Sequence, residues 1–561
     1  MEASLSYHEP SITVISILSG FLLLLNLVNH GLDRIAYCGL IGQIALGIAW
    51  ATPGAKWLSR DIENAVMALG YIGLILIVFE GGLSTSFKSL MANIGLSSAV
   101  AATGIILPIG LSFATMSMLN AAPLQAFAAG AALCSTSLGT TFTILGTSGL
   151  SSTRLGVVLT SAAMMDDVVG LIMVQVISNL GGGDSFDAAT VVRPVMVSLA
   201  FAIVVPVLCK FIVAPFTIRL NSLREANPSA KVSKLLGLRQ IAFAIHTAYL
   251  LGIVIGATFA GTSSLLAAYI AGATISWWDS EVPHLQVQPS ASQSSASTEA
   301  ANTRNSTAEA ISTLEPSMEG GSGLEIYHHY YEAAVEPDTI HASVGFSIPI
   351  TKLFSGPIVW RGLIYTVLMT IAKLACGLWL ISFTEPFRGF AQLIHKFTPK
   401  LKRNPKVLVP GAQCTDNPSS SASPDRDGTI QQTEAHDAVS LGPLGDADAP
   451  QSSPQMRNST PKPENPLSLY PACIVGIGMV ARGEIGYLIS ALAESRGIFG
   501  RPSNGQPSEL FLIVTWAITL CTVIGPISVG LVVSRVRQLE SGSRTARGEG
   551  KRNVLGAWGV S

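Results

Sequence analysis

The chain has 561 residues, of which 49% are hydrophobic and only 12% are charged. Because a soluble domain carries about 25% charged residues, this composition excludes an ordinary soluble protein and indicates an integral membrane protein. The apolar runs are too long for barrel strands, so the predicted fold class is all-α and polytopic. The formal net charge of −1 offers no basic surface, and no nucleic acid partner is expected.

Apolar runs recur along the chain and predict about thirteen transmembrane helices. Their centres lie near residues 20, 44, 74, 107, 135, 166, 204, 248, 268, 349, 371, 479 and 521. We group them as an N-terminal membrane half of about nine helices (1–280), helices 10 and 11 (338–390) and helices 12 and 13 (467–534). Two polar segments, 281–337 and 391–466, interrupt the runs. Neither has apolar periodicity, so both are predicted to be disordered.

Lysine and arginine residues are concentrated in three segments, and this pattern predicts the orientation in the membrane. The segments follow the seventh, the eleventh and the last predicted span, and the last segment is the basic tail 535–561. With an odd number of spans, all three lie on one side, which we assign to the cytoplasm. The C-terminus of this multi-pass protein is therefore predicted to be cytoplasmic. The pattern is compatible with the plasma membrane or an endomembrane.

Two adjacent carboxylates, Asp166 and Asp167, interrupt an apolar run that extends from about Leu155 to Ile177. One Asp at the centre of a membrane helix costs roughly 2.5–3.5 kcal/mol, and such residues mark ion and proton routes. Neighbours on a helix point about 100° apart, so the two carboxylates have different surroundings. We predict that one faces an ion site and the other faces a basic partner on another helix.

Two further runs contain polar, glycine-containing breaks, at Cys134–Phe142 and at Gly476–Gly486. Interruptions in corresponding helices indicate a transporter site, where unwound backbone exposes carbonyls to cations. Helix packing through small residues is the alternative explanation for the first break. In the second break, Arg482 and Glu484 are predicted to be structural, either neutralising half-helix dipoles or pairing with each other.

Lys373 lies near the middle of the eleventh predicted span. A lysine at this depth does not easily extend its ammonium group to the membrane surface, although that extension is the alternative to a buried partner. A partner carboxylate on another helix explains its position, and Asp166 is the predicted partner.

Taken together, these residues resemble those of the cation/proton antiporter superfamily, on the branch with an Asp-Asp pair. The resemblance rests on Ser135–Ser137, Asp166–Asp167, Lys373 and Arg482–Glu484, in this order along the chain. It extends from about residue 35 to residue 534 without the two polar inserts. The length of these inserts indicates a eukaryotic, fungal relative.

The resemblance implies an inverted-repeat fold in which two broken helices cross beside the ion site. It implies that Asp167 binds either a proton or, transiently, a metal cation such as Na⁺ or K⁺. Backbone carbonyls near Thr136 and Ser137 would assist, and Asp166 would pair with Lys373. A homodimer surrounded by membrane lipid is also implied, and no cofactor is expected.

The predicted function is secondary-active exchange of a monovalent cation for protons by alternating access, with Na⁺ favoured over K⁺ and Li⁺. The alternative is a cation channel or K⁺ efflux system without obligatory proton exchange, because it could use the same carboxylates. An enzyme is not expected. A membrane aspartyl protease needs two Asp that converge from different helices, whereas Asp166 and Asp167 diverge.

Overall fold

The computed structural model describes most of the predicted membrane segments. The described residues are 9–36, 39–137, 139, 141, 145–146, 149–151, 153–180, 188–227, 231–236, 238–282, 322–331, 337–382, 469–500, 506–546, 555 and 558–559. The predicted polar segment 391–466 lies outside them, as does most of the segment 281–337. All regular elements in the described residues are helical. The predicted all-α class is confirmed.

The helices are α1 (Ile12–Ala36), α2 (Gly39–Trp50), α3 (Arg60–Leu83), α4 (Phe87–Ala92), α5 (Ile94–Ser112), α6 (Ala114–Leu119), α7 (Pro123–Ala132), α8 (Arg154–Leu180), α9 (Ala188–Leu208), α10 (Ala214–Ala226), α11 (Lys231–Leu236), α12 (Arg239–Ala260), α13 (Ser264–Glu281), α14 (Gly323–Tyr330), α15 (Pro337–Gly345), α16 (Ile350–Leu353), α17 (Gly356–Leu374), α18 (Leu378–Ser382), α19 (Tyr470–Gly478), α20 (Glu484–Ser495) and α21 (Glu509–Ala546). A π-helical segment, Cys209–Val213, joins α9 to α10, and a 3-10 turn, Ala375–Gly377, joins α17 to α18.

Eight helical stretches in the described part of the chain are long and apolar enough to cross a membrane. They are Ile12–Leu32, Arg60–Leu83, Ile94–Leu119, Arg154–Leu180, Val191–Ala226, Arg239–Ala260, Gly356–Ile381 and Glu509–Leu539. Each contains one predicted span centre. The remaining centres fall in α2, in α13, at two helix breaks and between α15 and α16. A break divides one apolar run into two short helices, so the full number of spans stays a prediction.

Part of the segment 281–337 is helical, so the prediction of disorder was wrong for the residues of α14. Gly323 N donates to Asp279 Oδ2 at 2.6 Å, which fixes the start of α14 on the end of α13. Tyr327 and Tyr331 are buried and stack with a centroid separation of 5.4 Å. Aromatic side chains bury large areas, so this short cluster is stabilised although the surrounding sequence is Ser-rich.

Apolar packing covers both ends of α8. Its C-terminal half belongs to a large core that includes residues of α7, α13, α20 and α21. Its N-terminal turns pack in a second cluster with Leu555 and Trp558 from the segment after α21. The Trp558 ring lies 4.7 Å from Arg154 Cζ, the distance of a cation–π contact. The middle of α8, which carries the two adjacent Asp, is thus held between two packed regions.

Two helix breaks meet in the interior of the protein. α7 ends at Ala132, and α19 and α20 are separated by the non-helical residues 479–483. Ser137 N donates to Ala481 O at 3.0 Å, so the backbones of the two breaks are joined directly. Such irregular backbone is tolerated at membrane depth only where protein surrounds it.

α3 and α13 cross with their backbones almost in contact. A Cβ atom on Gly82 would lie too close to Tyr269 O, and one on Gly272 would lie too close to Phe79 O. Small residues permit this approach between membrane helices, where van der Waals packing and interhelical hydrogen bonds replace the hydrophobic effect as the source of association. Glycine is therefore required at both positions.

We expect Gly272→Val to lower the thermal unfolding midpoint of the purified protein by several degrees, because overpacking costs about 1–3 kcal/mol. The midpoint would be followed by size-exclusion chromatography after heating in detergent. Gly252→Val is the matched control, since a Cβ on Gly252 of α12 meets no atom within 4 Å. Equal losses in the two variants would contradict the close crossing.

Candidate functional site

Helix α7 stops inside the protein, and the carbonyls that follow it accept hydrogen bonds from two buried cations. Lys373 Nζ donates to Cys134 O at 2.6 Å, and Arg482 Nη1 donates to Ser135 O at 2.7 Å. Both basic side chains have no exposed surface. Basic groups are favourable at the C-terminal end of a helix, where the macrodipole is negative and carbonyls lack partners.

Asp166 of α8 completes the surroundings of Lys373. Its Oδ2 accepts from Lys373 Nζ at 2.5 Å and from Thr136 Oγ1 at 2.5 Å. Lys373 Nζ also donates to Thr136 Oγ1 at 3.0 Å, so with Cys134 O each of its three N–H groups has an acceptor. A buried ion pair is sustained when such additional hydrogen bonds offset the loss of water. Asp166 Oδ1 has no partner among the described residues.

Asp167 has different surroundings from its neighbour. Ser135 Oγ donates to Asp167 Oδ1 at 2.8 Å, and no basic side chain in the described residues forms an ion pair with it. It is 9% exposed, whereas Asp166 is 0% exposed. Of the two residues, only Asp167 has exposed surface. The angle of about 100° between adjacent helical positions accounts for this difference.

Arg482 and Glu484 form no ion pair with each other in the described part of the chain. Arg482 lies against the end of α7, where its Nη1 also approaches Cys134 O at 3.4 Å. Glu484 lies in the first turn of α20, where a negative charge is favourable. The contacts therefore match the helix-dipole alternative rather than the mutual pairing. Arg482 Nε and Nη2 have no partner among the described residues.

Ser135 belongs to the run Ser135–Ser137 that carries the resemblance, but the sequence analysis gave it no role, and the structure places its hydroxyl against Asp167. Thr136 contacts the Asp166–Lys373 pair through its hydroxyl, and Ser137 bonds to the second break through its backbone N–H. The only available signal was the run of three hydroxyl residues. Which hydroxyl faces Asp167 depends on the dihedral angles of the non-helical turn, which local sequence does not encode.

The site can bind a small hard cation or a proton. Carboxylate and hydroxyl oxygens lie together at Asp167 and Ser135, and oxygen ligands suit hard cations. A carboxylate can instead accept a proton, and the hydroxyl can then accept or donate a hydrogen bond. A cation and a proton would use the same oxygens.

Comparisons with known proteins agree with this geometry. Residues 18–293 match the family described as "Sodium/hydrogen exchanger, transmembrane". The chain is 27% identical over 183 residues to the high-affinity Na⁺/H⁺ antiporter NhaS3 of Synechocystis sp., covering 32% of this chain and 40% of the relative. It is 31% identical over 185 residues to the probable Na⁺/H⁺ antiporter GerT of Bacillus cereus, covering 32% and 49%. It is 26% identical over 250 residues to a Na⁺/H⁺ antiporter of Enterococcus hirae, covering 44% and 63%.

These alignments span less than two thirds of the relatives' own lengths. The similarity of fold extends further. The sodium proton antiporter MjNhaP1 from Methanocaldococcus jannaschii, solved at pH 8, superposes with a TM-score of 0.52 at 12% identity. This superposition covers 93% of this chain and 99% of that one.

Fold and site together define a polytopic helical membrane protein with charged side chains at two joined helix breaks, the architecture of secondary transporters. Over residues 18–293, slightly less than half of its length, the chain is similar to the sodium/hydrogen exchanger family, and its fold is that of the MjNhaP1 antiporter.

We expect Lys373→Met to destabilise the protein by about 3–5 kcal/mol, because it leaves the Asp166 carboxylate buried without its cation. Adding Asp166→Asn should recover much of that loss, since the charge is then removed as well. Thermal unfolding of the single and double variants in detergent measures the coupling. The exposed pair Arg361–Glu509, 3.0 Å apart, is the control and should show little coupling. Additive losses at Lys373 and Asp166 would contradict the pairing.

Proposed function

We propose that the chain exchanges a monovalent cation, with Na⁺ as the first candidate, for protons across a membrane. This proposal rests on the different contacts of the two adjacent Asp residues in α8. Asp166 is bound to Lys373, whereas Asp167 keeps an oxygen available beside a helix break. The printed names of the relatives, Na⁺/H⁺ antiporters, support the same activity.

Exchange follows from competition at Asp167. A proton on the carboxylate removes the charge that attracts a cation, and a bound cation occupies the oxygens that would accept a proton. The Ser135 hydroxyl serves both states, because rotation about its C–O bond presents either a hydrogen or a lone pair. Each occupant must therefore leave before the other binds.

The cation flux and the proton flux are coupled only if the site, when it holds neither ion, does not switch its opening from one side of the membrane to the other. An unoccupied, ionised carboxylate is costly to carry through a low-dielectric region, whereas a neutralised one is not. Transport would then proceed by alternating access, in which the loaded helices move relative to the others. The fixed Asp166–Lys373 pair keeps its own charges balanced throughout.

The basic segments support the proposed orientation, with the C-terminus in the cytoplasm. Several leucines of α1, including Leu22, Leu23 and Leu27, are exposed. They suit contact with membrane lipid or with a second copy of the chain, which is consistent with the proposed homodimer. We therefore include a homodimer in the proposal.

We expect Asp167→Asn to abolish cation-driven proton movement. Purified protein would be reconstituted into liposomes containing a pH-sensitive dye, a proton gradient would be imposed, and Na⁺, Li⁺ or K⁺ would be added separately. Addition of the transported cation should dissipate the gradient with the unaltered chain. Glu509→Gln, a substitution at the surface, should behave like the unaltered chain.

If the Asp167→Asn variant were fully active, the Asp167 carboxylate would not be the group that exchanges the cation for protons. Cation flux that persists without proton movement and is insensitive to the proton gradient would instead identify a channel.

A further inference from the structure

Gly170 lies one turn beyond Asp167 on α8, where this helix meets the non-helical residues after α7. A Cβ atom on Gly170 would lie 2.9 Å from Ser135 Cβ and 3.0 Å from Ser135 Oγ. The first separation is well below the distance of about 3.5–4.0 Å that non-bonded carbon atoms prefer. The observed approach of α8 to Ser135 therefore requires that position 170 carry no side chain.

The direction of Gly170 on α8 explains why its neighbour is a residue of the site. Because successive residues are 100° apart, Gly170 points about 40° from Asp166 and about 60° from Asp167 around the helix axis. Ser135 packs on this glycine, and its hydroxyl donates to Asp167 Oδ1 at 2.8 Å. A side chain at position 170 would push Ser135 away from the surface of α8, and thus away from the Asp167 carboxylate.

The surroundings of Ser135 also limit its movement in other directions. Arg482 Nη1 donates to Ser135 O at 2.7 Å, and the serine is only 3% exposed. Ile485 Cγ2, at the start of α20, lies 3.3 Å from the same Cβ position on Gly170, so no open space surrounds this contact. The distance between the Ser135 hydroxyl and the Asp167 carboxylate is therefore set by the packing of three helical segments.

A short separation that is fixed by packing discriminates between cations by size. When both residues bind one ion, the Ser135 hydroxyl turns a lone pair towards it, and the Asp167 carboxylate supplies a charged oxygen. A small cation such as Li⁺ or Na⁺ holds its ligand oxygens close together, whereas the larger K⁺ holds them further apart. Cavity size is one of the properties on which selectivity between alkali cations depends. The packing around Ser135 favours the smaller ions.

We propose that Gly170 is a specificity-determining residue, which holds the Ser135 hydroxyl close to Asp167 so that the site prefers Na⁺ and Li⁺ to K⁺. The proposal rests on the proposed function, since it concerns the transported cation at the same carboxylate. Gly170 acts through Ser135 and does not touch the ion, so it is a positioning residue. The glycine leaves the space, Ser135 supplies a neutral oxygen, and Asp167 supplies the charge.

Binding of ²²Na⁺ to the purified, full-length protein, with unlabelled Li⁺, Na⁺ or K⁺ as competitor, gives the three affinities without requiring transport. We expect Gly170→Ala to lower the preference for Na⁺ over K⁺ about tenfold, equivalent to about 1.4 kcal/mol, because overpacking opposes the close approach that the smaller ion needs. Gly110→Ala in α5 is the matched control. A Cβ on Gly110 meets no atom within 4 Å, so this variant should keep the preference unchanged.

A double-variant cycle separates this role from ordinary helix packing. Ser135→Ala removes the hydroxyl and retains Cβ, so it should lower the same preference, and adding Gly170→Ala should lower it no further. The thermal unfolding midpoint of the double variant should nevertheless fall below that of Ser135→Ala, because the two Cβ atoms still collide. An additive loss of preference would overturn the proposal, since Gly170 would then not act through the hydroxyl.

The other outcomes are equally decisive. An unchanged preference in Ser135→Ala would overturn the proposal even if Gly170→Ala did not fold. A lower thermal midpoint with an unchanged preference in Gly170→Ala would assign the glycine to helix packing alone. An unaltered chain that binds K⁺ as tightly as Na⁺, or binds no cation, would also overturn the proposal.

Failure of the proposed function has a different signature. Protein that shows the Gly170-dependent preference for Na⁺ but moves no protons in liposomes retains this site and loses the exchange activity.

Discussion

The structure of the site depends on how the chain satisfies a helix end inside a membrane. Carbonyls at the end of α7 have no intrahelical donors and no access to bulk water. Lys373 and Arg482 donate to them, and both converge on Cys134 O at 2.6 and 3.4 Å. Two buried cations at one carbonyl repel each other, so a carboxylate is needed nearby. Asp166 supplies this carboxylate. The Asp166–Lys373 ion pair therefore helps to stabilise the non-helical backbone after α7.

That requirement also explains why two adjacent Asp residues are useful. A helix presents successive side chains in directions about 100° apart, so Asp166 can face the Lys373 ammonium while Asp167 faces the Ser135 hydroxyl. One carboxylate is bound in the ion pair with Lys373, and the other contacts only the Ser135 hydroxyl among the described residues. A single Asp could not satisfy both demands, because its charge would already be balanced by the lysine.

The sequence was most informative at the residues whose burial in a membrane costs the most free energy. Charged residues within apolar runs are costly, so Asp166, Asp167 and Lys373 stand out without any alignment. The long membrane helices were equally visible, because their length is set by bilayer thickness. Helix α14 was missed because its stabilising partners lie in α12 and α13, far away in the sequence. Composition reports the average of a segment and does not reveal such contacts.

The contacts around the breaks also limit how the site can move. Ser137 N donates to Ala481 O, Thr522 Oγ1 of α21 donates to Arg482 O, and Lys373 of α17 donates to Cys134 O. Separating any of these helices would leave a buried carbonyl or charge without a partner, at a cost of several kcal/mol. Displacing all of them together breaks none of these bonds. Any movement of these helices is therefore favoured when α7, α8, α17, α19, α20 and α21 move as one body.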